Sequence, residues 1–193
     1  MIKRLIDSLN YTFREFLIVS SVIVLITLIA IKQSEFKSID IFKGKQLHQG
    51  GYYIGKILKT PKNIFDSTIK TEFKILNKVI EDNNLIKNGY PFIIYTSKTN
   101  EFIQYIAAIP VNNCEKIKQP AKYVCNYFPK QDVLTVIHKG FLQDRNKGWE
   151  ILENEIAKNE KKLLNAPFEV FWKGIEQSKD STTWLTGLYY PIK

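Results

Sequence analysis

The sequence predicts an α+β fold: two pseudo-repeated β-α-β-β units forming one antiparallel sheet with two helices, preceded by one transmembrane helix. Three observations carry this. Two stretches, around 65–80 and 149–163, place apolar residues at helical spacing, each with one strand-like segment before it and two after. A short motif recurs behind each of them, Pro91-Phe92-Ile93-Ile94-Tyr95 and Pro167-Phe168-Glu169-Val170-Phe171. Near the N-terminus, sixteen residues from Phe16 to Ile31 pass without a charge.

The order along the chain begins with a short basic segment, 1–15, and the apolar stretch, 16–32. Sixteen helical residues at about 1.5 Å each span about 24 Å, slightly short of a ~30 Å hydrocarbon core. Tyr11 and Phe13 extend the apolar face, and Arg14 and Lys32 can reach the two interfaces. Lys3 and Arg4 would also suit the start of a cleaved signal peptide, but the exit, Ile29-Ala30-Ile31-Lys32-Gln33, offers no small-x-small cleavage site. The expectation is an uncleaved single-pass anchor in the cytoplasmic (inner) membrane of a bacterium. Lys3, Arg4 and Arg14 on one side and Lys32, Lys37, Lys43 and Lys45 on the other leave its orientation open.

Residues 33–48 read as a polar tether, and 49–193 as one domain large enough to bury a core. Its first strand is Gly50 to Leu58, after which Thr60-Pro61 supplies an N-cap and first-turn proline. Phe65, Ile69, Phe73, Leu76 and Ile80 then form the apolar stripe of a helix that ends near Asn83-Asn84. Tyr90–Thr96 and Phe102–Val111 are strands. The order then repeats: a strand over Asp132–His138, a helix of about Asp144 to Leu164 carrying Trp149, Leu152, Ile156 and Leu163, the Glu169 strand, and a last strand within Thr183–Ile192.

Glu169 is the unexpected residue. Along that strand Phe168, Val170 and Trp172 share one face, and Glu169 shares the other with Phe171. It is either an edge-strand carboxylate pointing into water or a pocket carboxylate among aromatic rings. In the aligned motifs it stands where the first unit has Ile93, which favours the pocket.

The formal net charge is +9, spread over scattered lysines. No dense basic block and no helix-turn-helix, zinc-finger or RNA-binding signature accompanies it, so a nucleic-acid partner is not expected and a membrane surface is. There is no phosphate-binding glycine loop and no metal-binding helix motif. With two His and two Cys well separated, neither a cofactor nor a metal is expected. Cys114 and Cys125 flank one connection and would pair only in an oxidising compartment. His138 reads as a strand-end residue rather than a base, and His48 as part of the tether.

Several segments together carry a resemblance. Val136-Ile137-His138-Lys139-Gly140-Phe141 resembles the "hxxG" turn of the GyrI-like small-molecule-binding family, the effector-binding domains of AraC- and MerR-type regulators. Trp149, the Pro167–Phe171 motif and the ending Trp184-Leu185-Thr186-Gly187-Leu188-Tyr189-Tyr190-Pro191-Ile192 are similar to that family in order and spacing. The resemblance spans roughly 49–193. It implies two pseudo-symmetric β-α-β-β units around an aromatic pocket in which a buried glutamate meets cationic aromatic ligands; some members are hydrolases of strained, cyclopropane-containing toxins. Where the regulators carry a DNA-binding domain, this chain has its apolar N-terminal stretch.

The expected ligand site is therefore Glu169 with Tyr52, Tyr95, Trp149, Phe171, Trp184 and Tyr189, although aromatic residues in strands also serve simply as core. An unpartnered carboxylate in an apolar pocket favours its neutral form, and a bound cation stacked on aromatic rings reverses this. The function expected is binding or sensing of a small hydrophobic or cationic aromatic molecule at the membrane. A hydrolase with Glu169 as the catalytic candidate and a non-catalytic interaction module at the membrane are the alternatives.

Overall fold

The computed structural model describes residues 15–28, 36–114, 117, 122–159, 164–175 and 177–193. They belong to two units, Met1–Lys37 and Ser38–Lys193. In the first, residues 15–28 form helix α1. The hydroxyls of Ser21 and Thr27 donate to the carbonyls of Leu17 and Ile23 at 2.8 and 2.7 Å, which keeps these polar groups satisfied within an apolar helix. No helix among the described residues is long and apolar enough to cross a membrane. The expected transmembrane helix over 16–32 is thus not shown, nor is the membrane partner drawn from it, and the expected membrane location is corrected. Residues 1–14 and 29–35 lie outside the described residues.

The second unit is an antiparallel sheet of eight strands with two helices. In chain order the elements are β1 (Ile39–His48), β2 (Gly51–Pro61), α2 (Phe65–Asp82), β3 (Phe92–Lys98), β4 (Phe102–Pro110), β5 (Val124–Phe128), β6 (Gln131–Lys139), α3 (Asn146–Lys158), β7 (Phe168–Lys173) and β8 (Leu185–Pro191). The strand order is β1-β6-β8-β7-β3-β4-β2-β5. The two expected β-α-β-β units are β2-α2-β3-β4 and β6-α3-β7-β8, joined along β3 and β7.

Two strands were not expected. β1 occupies most of the stretch 33–48 read as a tether, and β5 fills the connection holding the cysteines. β1 leads into β2 but pairs with β6, whereas β5 leads into β6 but pairs with β2. Each half thus lends its leading strand to the other. Both are edge strands, which bury little, so Ile39, Ile41 and Leu47 stay exposed beside Lys43 and Lys45. A register shift between Phe42 and Gly44 also breaks the alternation that would have marked β1. The turns β1–β2 and β5–β6 meet. Gly50, at φ +69°, lies so close to the Phe128 carbonyl and Pro129 that a Cβ would collide with their backbone.

The helices pack on one face. α2 buries Phe65, Ile69, Phe73, Leu76 and Ile80 against Ile93, Tyr105, Ala107 and Ile109 of the sheet. Each such side chain contributes roughly 1.5–3 kcal/mol. The expected Thr60-Pro61 cap is replaced by a longer strand. β2 stays paired to β4 as far as Pro61 opposite Phe102, Thr60 is buried, and a short 3-10 turn, Lys62–Ile64, precedes the helix. α3 runs over Asn146–Lys158, shorter than the expected 144–164; residues 160–163 lie outside the described residues. Gly148 lets α3 lie close on the sheet, since a Cβ there would stand 2.5 Å from Leu188 Cδ1 and 2.8 Å from Asp40 Oδ1. His138 is fully buried, its Nδ1 2.8 Å from Asp40 Oδ1 and its Nε2 2.9 Å from the Phe141 carbonyl, tying β1 to the entry of α3.

The opposite face is an aromatic core. Phe168 stacks on Tyr189 with centroids 4.7 Å apart and meets Phe128 and His48 edge-on, both at 4.9 Å. His48, expected to lie idle in a tether, is built into this cluster, and its Nδ1 accepts from the Gly50 N–H at 3.1 Å. Burial lowers its pKa. A histidine whose folded pKa lies below its unfolded value of about 6.5 contributes stability above that pH, lost as pH falls through the folded value. The midpoint of thermal unfolding should therefore fall as pH drops below about 6.5, and a His48→Gln variant should show a shallower fall over the same range. Identical slopes for the two proteins would contradict this.

Candidate functional site

β7 is not an edge strand. It pairs with β8 on one side and β3 on the other, so neither edge is open to water, and Glu169 is 0% exposed. The reading of Glu169 as a surface carboxylate is thereby corrected. Glu169 lies opposite Ile93, its counterpart in the repeat, between the pairs Phe92–Val170 and Ile94–Phe168. The Tyr95 N–H donates to the Pro167 carbonyl and the Phe171 N–H to the Pro91 carbonyl, both at 2.9 Å. This seam is symmetric about the Ile93–Glu169 pair, so the pseudo-twofold of the duplication passes through the site.

The carboxylate is not alone. Its Oε1 accepts from the Tyr95 hydroxyl at 2.7 Å, Arg145 Nε at 3.0 Å and Trp149 Nε1 at 3.1 Å. Oε2 is buried without a partner among the described residues. Arg145, buried at the entry of α3, also donates from Nη1 to the Leu142 carbonyl at 2.6 Å and from Nη2 to Asp66 Oδ1 at 2.8 Å. Its guanidinium lies 5.6 Å from the centre of the Phe65 ring. The side chain therefore bridges the beginnings of the two helices over the seam. Burial works to lower the Arg145 pKa, but the Glu169 carboxylate, with Asp66, outweighs it and raises the pKa, so the group stays charged. Burial first, and then the Glu169 carboxylate, hold the Tyr95 phenol well above its ordinary value, so it acts as a donor. The expected unpartnered carboxylate is corrected to one arm of a buried ion pair.

Arg145 was missed, although the duplication points to it. At one constant separation Ile69, Phe73, Leu76 and Ile93 of the first unit match Arg145, Trp149, Leu152 and Glu169 of the second. Two isoleucines, 5% and 0% exposed, are replaced in the second unit by an arginine and a glutamate that bond to each other.

Two cavities flank this cluster. The first, about 270 Å³, is lined by Tyr95, Trp149, Glu153, Pro167 and Tyr190, with Thr96, Ser97 and Lys98 at its mouth. Trp149 stands edge-on to Tyr95 at 5.9 Å and to Tyr190 at 5.3 Å, so three rings form three walls. The Tyr190 hydroxyl donates to Glu153 Oε1 at 3.2 Å; burial and this carboxylate push its pKa up to about 12. The second cavity, about 280 Å³, includes Phe171 and Trp184 with Ile69 and Phe73 of α2. Glu169 lines neither and sits between them.

The expected aromatic residues therefore divide. Tyr95 and Trp149 reach Glu169 and the first cavity, while Phe171 and Trp184 line the second. Tyr189 is on the opposite face, stacked on Phe168, and Tyr52 is exposed beside Tyr127 near the β5 edge of the sheet. Glu153 and Tyr190 were not anticipated: an exposed helix carboxylate looks like any solvated residue until the ring beside it is known.

No family model matches the chain, and no curated protein matches it. Solved structures do match in fold. The EcmrR–DNA complex matches over 100% of this chain and 71% of that chain, at 22% identity and a TM-score of 0.71. The EcmrR C-terminal domain matches over 82% and 98%, at 22% identity and a TM-score of 0.69. SAV2435, solved bound to tetraphenylphosphonium, matches over 79% and 94%, at 15% identity and a TM-score of 0.56. The chain shares its fold with these structures.

Proposed function

We propose that this domain binds a small aromatic or quaternary cation in the first cavity, as a sensing or sequestering module. The observation that carries the reading is the three-walled aromatic box of Tyr95, Trp149 and Tyr190 with the Glu153 carboxylate at its side. Aromatic faces attract cations by about 0.5–2 kcal/mol each, and a neighbouring carboxylate adds charge complementarity. Glu169 is a positioning residue in this reading: by accepting from both the Tyr95 hydroxyl and Trp149 Nε1 it fixes two of the walls. That SAV2435, a structure of similar fold, was solved with tetraphenylphosphonium supports the ligand class.

Hydrolysis is less well supported. Glu169 Oε1 is committed to three donors, and the Tyr95 phenol, held protonated by burial and by the carboxylate, is poorly suited to act as a base. The test is calorimetric titration of the full chain with benzyltrimethylammonium and with tetraphenylphosphonium. Glu153→Gln and Trp149→Leu should each weaken cation binding by about tenfold, while an uncharged ligand such as benzyl alcohol keeps its affinity in Glu153→Gln. Equal binding of cation and neutral compound, unmoved by either variant, would overturn the reading.

A further inference from the structure

The second cavity is the pseudo-symmetric counterpart of the first. Phe171 stands where the first has Tyr95, Pro91 where it has Pro167, and Phe73 of α2 where it has Trp149 of α3. Its charged lining differs: the first cavity has Glu153 and Lys98, whereas the second has Asp66, Lys70 and Lys173. The apolar interior of Ile69, Phe73, Phe171 and Trp184 carries two lysines, Lys70 of α2 and Lys173 of β7. Neither makes an ion pair among the described residues. The acidic residue on the wall, Asp66, is already bonded to Arg145 at 2.8 Å. An entering molecule thus meets aromatic and aliphatic surface together with two lysines, of which Lys173 also acts on the exposed Asp180 carboxylate.

We infer that this second cavity is a binding site for an amphipathic organic anion, with an aromatic or short aliphatic body and one carboxylate or similar group. The body lies against Phe73, Phe171 and Trp184; the anionic group meets Lys70 and Lys173. A volume of about 280 Å³ holds a fused pair of rings but not a large lipid. The Trp184 ring is anchored for this role, its Nε1 donating to the Ser178 carbonyl at 2.9 Å. Arg145 and Asp66 lie between the two cavities, so the site is chemically separate from the cation box while sharing its supporting cluster.

The experiment titrates the full chain with 2-naphthoate, its uncharged analogue 2-naphthylmethanol, and benzyltrimethylammonium. The wild type should bind 2-naphthoate at least tenfold more tightly than the alcohol. Replacing both lysines, Lys70→Gln with Lys173→Gln, should erase that preference and leave the alcohol and the ammonium compound unchanged. Ile69→Trp, which fills the cavity, should abolish binding of both naphthalene compounds. Equal affinity for acid and alcohol, a preference that survives loss of both lysines, or no naphthoate binding at millimolar concentration would each overturn the inference. The ammonium titration reports on the first cavity separately, so failure of one site is distinguishable from failure of the other.

Discussion

Replacing Arg145 with leucine should destabilise the domain by about 3–5 kcal/mol, because it leaves the Glu169 carboxylate buried without a countercharge. Glu169 is 0% exposed, and Arg145 supplies the only cation within bonding distance of it among the described residues. The cost comes from the stranded charge more than from the lost bond, and this has a consequence the opposite expectation lacks. A double variant, Arg145→Ile with Glu169→Ile, installs at both positions what the first unit has at Ile69 and Ile93. It should recover at least about 2 kcal/mol relative to Arg145→Leu, since a well-packed apolar pair often matches a buried ion pair in stability. Tyr95 and Trp149 lose an acceptor in that variant, but both border the first cavity, where water can replace it. Chemical denaturation of the wild type, Arg145→Ile, Glu169→Ile and the double variant, as a mutant cycle, is the check. Additive losses would mean that the two side chains do not act as a pair.

The second large effect is expected at the Cys114–Cys125 disulfide, which spans a sequence separation of 11 and joins the chain leaving β4 to the edge strand β5. The chain-entropy account gives about 3 kcal/mol for a loop of this size. Cys114→Ser with Cys125→Ser, or reduction of the wild type, should lower the stability by about that amount. The loss should be expressed first at β5, whose side chains are mostly exposed and which is held on one side only, by β2. Hydrogen exchange at Val124–Phe128 should accelerate before exchange elsewhere in the sheet. Uniform acceleration across all strands would contradict a local role.

These expectations also show what the sequence made legible. The duplication could be read because strands buried on both faces, such as β3 and β7, are dense in apolar residues, and because the two motifs share their prolines and phenylalanines. It located Glu169 at the equivalent of Ile93, and that is where the pseudo-twofold passes. β1 and β5 escaped because an edge strand buries too little to impose alternation, and β1 adds a bulge. The charge partner escaped for a different reason. Arg145 precedes the helix stripe and looks like an exposed residue at a helix start; only the matching of Ile69 with Arg145 sets it inside. The aromatic candidates divided because alternation tells which residues share a face of one strand, but not which faces of different strands meet. Tyr189 and Phe171 illustrate this, one on each side of the sheet. The apolar N-terminal stretch misled most. Its composition suits a membrane span, yet no helix among the described residues is long and apolar enough to make one.

The first cavity should receive a cation between Tyr95, Trp149 and Tyr190. The most direct measurement is a nitrogen–proton correlation spectrum of the three tryptophan indoles, Trp149, Trp172 and Trp184, during titration with benzyltrimethylammonium. The Trp149 indole, hydrogen-bonded to Glu169 and forming one wall of the box, should shift in a saturable manner while the Trp184 indole stays in place. Shifts confined to Trp184, or a silent Trp149 at saturating cation, would contradict it.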